Sequence, residues 1–250
     1  MSSTESTSMD DYSDTEYYTE DENYDSRDGS ELMASSGNMP DLFTVRTGEC
    51  PGEYERIELL IKHSKVLKSG GISEEEKAAL FSHMVVRSEA EGIEAEPWIT
   101  SFFSVLQYPA VRSMLPSKVA SAIGQLPDHE TLDVLISFRF SNVPEEIVYE
   151  MYESFPGAHM HKKDQKVLLL SLEKPVQKEE EAEIKRVFPA FKFQGSGKLF
   201  PVHTEEIFLI LNAEKPLFSC LVHDDTAIKG YILDRERFIA FIEAMKKYYT

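Results

Sequence analysis

From residue 41 onward apolar residues recur with the periods of regular structure, whereas before it they scarcely occur. Asp41 to Val45 reads as a short strand. Over 53–68, Ile57, Leu60, Ile61 and Leu67 share one helical face, and Gly70 and Gly71 stop the helix. Ser73 and Glu76 make a capping-box signature, which opens a helix carrying Leu80, Phe81, Met84 and Val85. Trp98 to Leu106 is apolar, aromatic and β-branched, the signature of a buried strand. Val119, Ile123 and Leu126 mark a helix that Pro127 closes.

Thr131 to Phe140 reads as the next buried strand. Asn142 is a helix cap, with Pro144, Glu145 and Glu146 in the first turn. Ile147, Val148, Met151, Tyr152 and Phe155 then form a helical stripe. Gln165 to Leu172 is a strand bounded by Pro175, and Gln177 to Phe188 is a short helix. Ile207–Leu211, Leu217–Val222 and Ala227–Leu233 read as three further strands. Asp234 caps a final helix; Leu233 and Phe238 have the spacing of a hydrophobic staple, and Phe238, Phe241, Ile242, Met245 and Tyr249 face the core. Helices and strands alternate early and strands cluster late. The pattern predicts an α/β fold over 41–250, with a single mixed β-sheet flanked by helices and no internal linker or repeat.

Residues 1–40 are of another kind. They hold eleven acidic residues and one basic residue, Arg27, and Leu32 is their only Val, Ile, Leu or Phe. Such a segment cannot offset its ordering entropy by burial and is expected to be a disordered acidic arm. Ser8, Ser13 and Thr19 each have an acidic residue three positions on, the pattern acidophilic kinases favour, so they are candidate phosphorylation sites. A plain solubilising tail is the alternative. The arm carries −10 of the chain's net charge of −18. That balance argues against direct nucleic-acid binding or an anionic membrane, because phosphate contacts need clustered Lys and Arg.

The chemistry-bearing residues assemble no catalytic motif. Cys50 and Cys220 are too few for a disulfide framework or a four-thiolate zinc site, and they fit a reducing compartment. No secretory leader is visible, and the longest aliphatic-aromatic run, Ile207–Leu211, falls far short of the ~20 residues that span a bilayer. A soluble intracellular protein is expected. Gly195-Ser196-Gly197-Lys198 is too short to cradle phosphates and reads as a turn. His159 and His161 sit beside Lys162 and Lys163, which disfavours a metal; His203 and His223 read as surface or edge residues, and Cys220 as a buried inert thiol. No catalytic, cofactor-binding or metal-ligating residue is assigned, and no cofactor is expected.

Residues 135–147, Leu-Ile-Ser-Phe-Arg-Phe-Ser-Asn-Val-Pro-Glu-Glu-Ile, resemble the hallmark "LSERFINVPPQI" of the BCCIP family, and Met151-Tyr152 resembles its "PMY". Asp41-Leu42-Phe43, Phe102–Leu106, Gly157-Ala158-His159, Glu205-Glu206-Ile207-Phe208 and Ile232-Leu233-Asp234 are similar to further family segments in the same order. The hallmark residues carried over are Arg139, Phe140, Asn142, Val143, Pro144, Met151 and Tyr152, as structural positions. Ser137-Phe138-Arg139 departs from the usual S-E-R, and Pro144-Glu145 from a double proline, as in a compact, divergent member.

The resemblance implies a topology like that of GNAT acetyltransferases, without catalysis; the GNAT loop [RQ]-x-x-G-x-[GA] has no match here. It also implies a chaperone and transport adaptor in nucleus and cytoplasm. Such a protein shields a basic ribosomal protein of the large subunit and supports nuclear export and ribosome biogenesis, with a lipid kinase as a further cargo. The charge of −18 suits such a partner independently. A monomer is expected. The alternatives are an acetyltransferase-like enzyme or a DNA-repair and cell-cycle scaffold.

Overall fold

The computed structural model describes residues 43–46, 54–68, 70–80, 84–88, 98–139, 143–162, 164–193, 198–212, 214–222 and 225–249. The acidic arm, with Ser8, Ser13 and Thr19, lies outside the described residues, as do Phe140, Asn142, Gly195–Gly197 and His223. In chain order the elements are β1 (Phe43–Arg46), α1 (Tyr54–Ser64), α2 (Glu74–Leu80), β2 (Met84–Ser88), β3 (Trp98–Gln107), α3 (Tyr108–Val111) and α4 (Ser117–Gly124). They continue as β4 (Asp133–Arg139), α5 (Glu145–His159), β5 (Lys166–Pro175), α6 (Lys178–Val187), β6 (Leu199–Pro201), α7 (Ile207–Leu211), β7 (Phe218–Leu221), β8 (Ala227–Asp234) and α8 (Arg235–Tyr249). One eight-stranded mixed sheet runs β1-β2-β3-β4-β5-β8-β7, with β6 joined to β5 off that path. Every pairing is antiparallel except β4 with β5. The expected mixed sheet flanked by helices is therefore present.

Strand alternation divides the core in two. On β5, Leu168, Leu170 and Leu172 turn to one face, and Val167 and Leu169 to the other. The first face packs under α1–α4 through Leu60, Leu80, Tyr108, Val119 and Ile123. The second packs under α5, α7 and α8 through Met151, Tyr152, Phe155, Leu209, Phe238 and Phe241. A strand covered on both faces reads as an unbroken apolar run, which is how β5 reads up to Leu170.

Several helix boundaries follow their sequence signals. The Ser73 N–H donates to Glu76 Oε2 at 2.8 Å and the Glu76 N–H to Ser73 Oγ at 3.2 Å, the reciprocal pair that opens α2. Gln177 and Glu180 make the same arrangement at α6, and Asp234 Oδ1 accepts the Arg237 N–H at 2.9 Å at α8. Two elements differ from expectation. Met84 and Val85 are not on a helix: α2 ends at Leu80, and Met84–Ser88 forms β2 between β1 and β3, where the β-branched Val85 and Val86 suit a strand. Ile207–Leu211 is the helix α7 rather than a strand. A five-residue apolar run has no readable period, and both edges of β5 are already taken, by β8 on one side and by β4 and β6 on the other.

Gly230 on β8 lies opposite Phe218 on β7, and a methyl group there would overlap the Phe218 ring and come within 3.1 Å of Leu168 Cδ1. Gly230→Ala is expected to destabilise the fold by about 1–3 kcal/mol through overpacking, measured as a lower urea midpoint with an unchanged slope. An unchanged midpoint would show that the ring is free to move aside.

Candidate functional site

The parallel pair is where the sheet opens. β4 and β5 pair at Asp133–Val167, Val134–Leu168 and Leu135–Leu169, and the ladder goes no further, although β4 continues to Arg139 and β5 to Pro175. A crevice outside the carboxyl ends of parallel strands is the usual ligand position in open α/β sheets. Here the chain occupies it. β6 pairs antiparallel with Glu173–Pro175, and the Val202 N–H donates to the Leu172 carbonyl at 2.7 Å. Glu173 pairs with Ala227 of β8 as well as with Pro201, so β6 stands on the β4 side of β5. A 3-10 turn, Thr204–Glu206, and α7 follow it. Residues 199–211 thus form a wedge between the parted strands.

The wedge is held by charges buried in the core. Glu173, Glu205 and Glu206 are each 1% exposed. Arg139 at the end of β4 grips Glu205 with two hydrogen bonds, Nη2 to Oε2 at 2.8 Å and Nε to Oε1 at 3.3 Å. Ser171 Oγ lies 2.5 Å from Glu206 Oε2, and Lys229 Nζ on β8 lies 2.6 Å from Glu173 Oε2. Ser137 and Tyr152 hydroxyls meet at 3.3 Å on the same face. Burial alone would raise the Glu205 carboxyl, but the charge of Arg139 and its hydrogen bonds outweigh it and hold the group below its ordinary range. Burial drives His203 down, so its imidazole is neutral at neutral pH. The space that remains, about 10 Å³ beside Ser137, Arg139, Tyr152 and Glu205, has room for about one water.

The hallmark residues that are described converge on this region. Arg139 makes the ion pair, Tyr152 and Met151 are buried on α5 beside it, Val143 is buried, and Pro144 immediately precedes the helix. Glu205 and Glu206 stand out in the sequence only as part of a family-like segment, and Ser171, Glu173 and Lys229 not at all. Their signal is the pairing of alternate polar residues, Ser171 and Glu173, with the apolar run of β5, and of Glu205-Glu206 with the apolar run of α7. His203 is buried against the Phe138 ring, at 6.0 Å between centroids, rather than at the surface. Cys220 is half-buried on β7, with Sγ 3.7 Å from the Lys118 carbonyl oxygen, and burial raises its thiol above the ordinary value. His159 stacks on Phe155 at 5.1 Å. Among the described residues no group of three His, Cys, Asp or Glu is placed to hold a metal, and no helix is long and apolar enough to cross a membrane. At the amino ends of β4 and β5 an open groove of about 770 Å³ carries Asp128, Asp133, Asp164, Lys162 and Lys166.

Arg139→Met strands the Glu205 carboxylate in the core, so a loss of about 3–5 kcal/mol is expected. Because the folded Glu205 value is depressed, the contribution of the pair is present above the ordinary carboxylate range and is lost as pH falls through the folded value. Arg139→Met combined with Glu205→Leu should recover most of the loss. Urea denaturation of the three proteins at neutral and acid pH measures this; a single variant as stable as the wild type would mean the pair does not hold the wedge.

No family model matches the chain, and no curated protein matches it in sequence. Among solved structures it is similar to BCP1 from Saccharomyces cerevisiae, with a TM-score of 0.54 and 13% sequence identity, over 88% of this chain and 93% of that one. At that identity the likeness establishes the fold: a BCCIP-like mixed sheet flanked by helices, spanning nearly the whole of both chains.

Proposed function

We propose that this protein is a BCCIP-type, non-enzymatic chaperone and transport adaptor that shields a basic ribosomal protein of the large subunit and supports nuclear export and ribosome biogenesis. The observation that carries the reading is the BCCIP-like fold over 88% of a chain whose net charge is −18. A free ribosomal protein exposes Arg and Lys meant for RNA. An acidic partner masks them, steers the encounter and excludes wrong contacts. The charge is divided between the arm, at −10, and residues 41–250, at −8, so a diffuse electrostatic contact and a folded contact both contribute. The protein acts in this reading as a monomer in nucleus and cytoplasm, with a lipid kinase as a second cargo and no cofactor.

The parted β4–β5 strands favour a second reading, an acetyltransferase-like enzyme, because that is where a ligand would enter such a sheet. The chain's own Glu205–Arg139 and Glu206–Ser171 contacts in the crevice weigh against it. Acetyl-CoA at 100 times its dissociation constant would add about 2.7 kcal/mol to a protein that binds it. Thermal denaturation is expected to show no shift, and a clear upward shift would favour the enzyme.

Co-expression with each large-subunit ribosomal protein, followed by size exclusion, is expected to give a one-to-one complex with a basic member that weakens as salt rises. Failure of all of them to co-migrate would overturn the reading. Deleting 1–40 should leave the fold intact, slow association with that cargo and flatten its salt dependence, while part of the affinity survives. Phosphorylation at Ser8, Ser13 or Thr19 should act in the opposite direction. Stopped-flow association of both forms at two salt concentrations checks this; equal rates and equal slopes would reduce the arm to a solubilising tail.

A further inference from the structure

The wedge encloses two cations and three carboxyl groups. Arg139 takes Glu205 and Lys229 takes Glu173, while Glu206 receives only the Ser171 hydroxyl. Two carboxyl oxygens are left buried without a hydrogen-bond partner, Oε1 of Glu206 and Oε1 of Glu173. Ser171 and Glu173 are alternate residues on one face of β5, and the charge of Glu173 acts on the carboxyl that Ser171 contacts. An ionised carboxylate only accepts hydrogen bonds, whereas a protonated one also donates. One proton on Glu206 therefore lets that carboxyl donate as well as accept, and it leaves two positive charges facing two negative ones.

We propose that a single proton, held on the Glu206 carboxyl, keeps the wedge in place at neutral pH. The charges that act on Glu206 are those of Glu205 in the 3-10 turn, Glu173 on β5 and Arg139 on β4, and Lys229 on β8, opposite Ser171, is paired with Glu173. The remaining titratable neighbours are uncharged. Tyr152 on α5 and Tyr231 on β8 are raised above the ordinary phenol value, by burial first and then by the carboxylates, and His203 is lowered by burial. Burial, then the charges of Glu205 and Glu173, push the Glu206 carboxyl well above the ordinary carboxylate range. The folded value is raised, so the stabilisation is complete below the ordinary range and is lost as pH rises through the folded value. Loss of the proton puts a third buried negative charge in the crevice and favours release of residues 199–211. The proton is thus a ligand of the closed wedge and alkalinity the signal that opens it.

Infrared spectroscopy of the folded wild-type protein at neutral pH should show the carbonyl stretch of a protonated carboxylic acid. The band should vanish on unfolding and in Glu206→Gln. Thermal denaturation of Glu206→Gln should match the wild type at acid pH. Its advantage should widen as pH rises from about 5 to 8, by up to tenfold in the folding equilibrium constant per pH unit. No acid band in the wild type, or an advantage that is constant with pH, would overturn the proposal. If Glu206→Gln does not fold, the wild-type band alone decides.

Discussion

Where β4 and β5 stop pairing at Leu135 and Leu169, an open crevice would expose the apolar face that α5 and α8 cover. The contact of Arg139 with Glu205 closes it. A buried ion pair costs several kcal/mol of desolvation per ion and repays it only with good geometry and further hydrogen bonds. The two-toothed guanidinium contact supplies that geometry, and it fixes one position for the wedge along the strands in a way that apolar packing alone does not. The neighbouring Ser171–Glu206 and Lys229–Glu173 contacts extend the same polar band along β5 and β8.

Aromatic rings adjoin that band on the second face of the sheet: Phe103, opposite Ser137 of β4, meets Tyr152 edge-on at 5.0 Å, and Phe155 lies 4.9 Å from Phe238. At the carboxyl ends of β4 and β5 the band is enclosed by the wedge. The chain itself fills the crevice there, and the proposed masking of a basic cargo draws instead on the net charge of −18.

Much of the architecture was legible in the sequence because its signals are local. The Ser73–Glu76 and Asp234 caps, the stripe Val148–Met151–Tyr152–Phe155 and the unbroken apolar run of β5 each specify an element without reference to the rest. β2 and α7 were misread because tertiary partners decide them: Met84–Ser88 is a strand by virtue of lying between β1 and β3, and Ile207–Leu211 is a helix because no strand position was left on β5. Arg139 was legible as a hallmark residue. Its partner Glu205 is 66 positions away along the chain, and only the folded sheet brings them together.

Native-state hydrogen exchange at neutral pH tests the wedge most directly. The Val202 amide, bonded to Leu172, and the Val176 amide, bonded to Lys198, report on its attachment to β5. If the wedge is an integral part of the sheet, both exchange only through global unfolding, with the same opening free energy as the central amides of β5. If they open at much lower free energy while β5 stays protected, the wedge is a loosely attached flap, and the crevice between β4 and β5 is an available site.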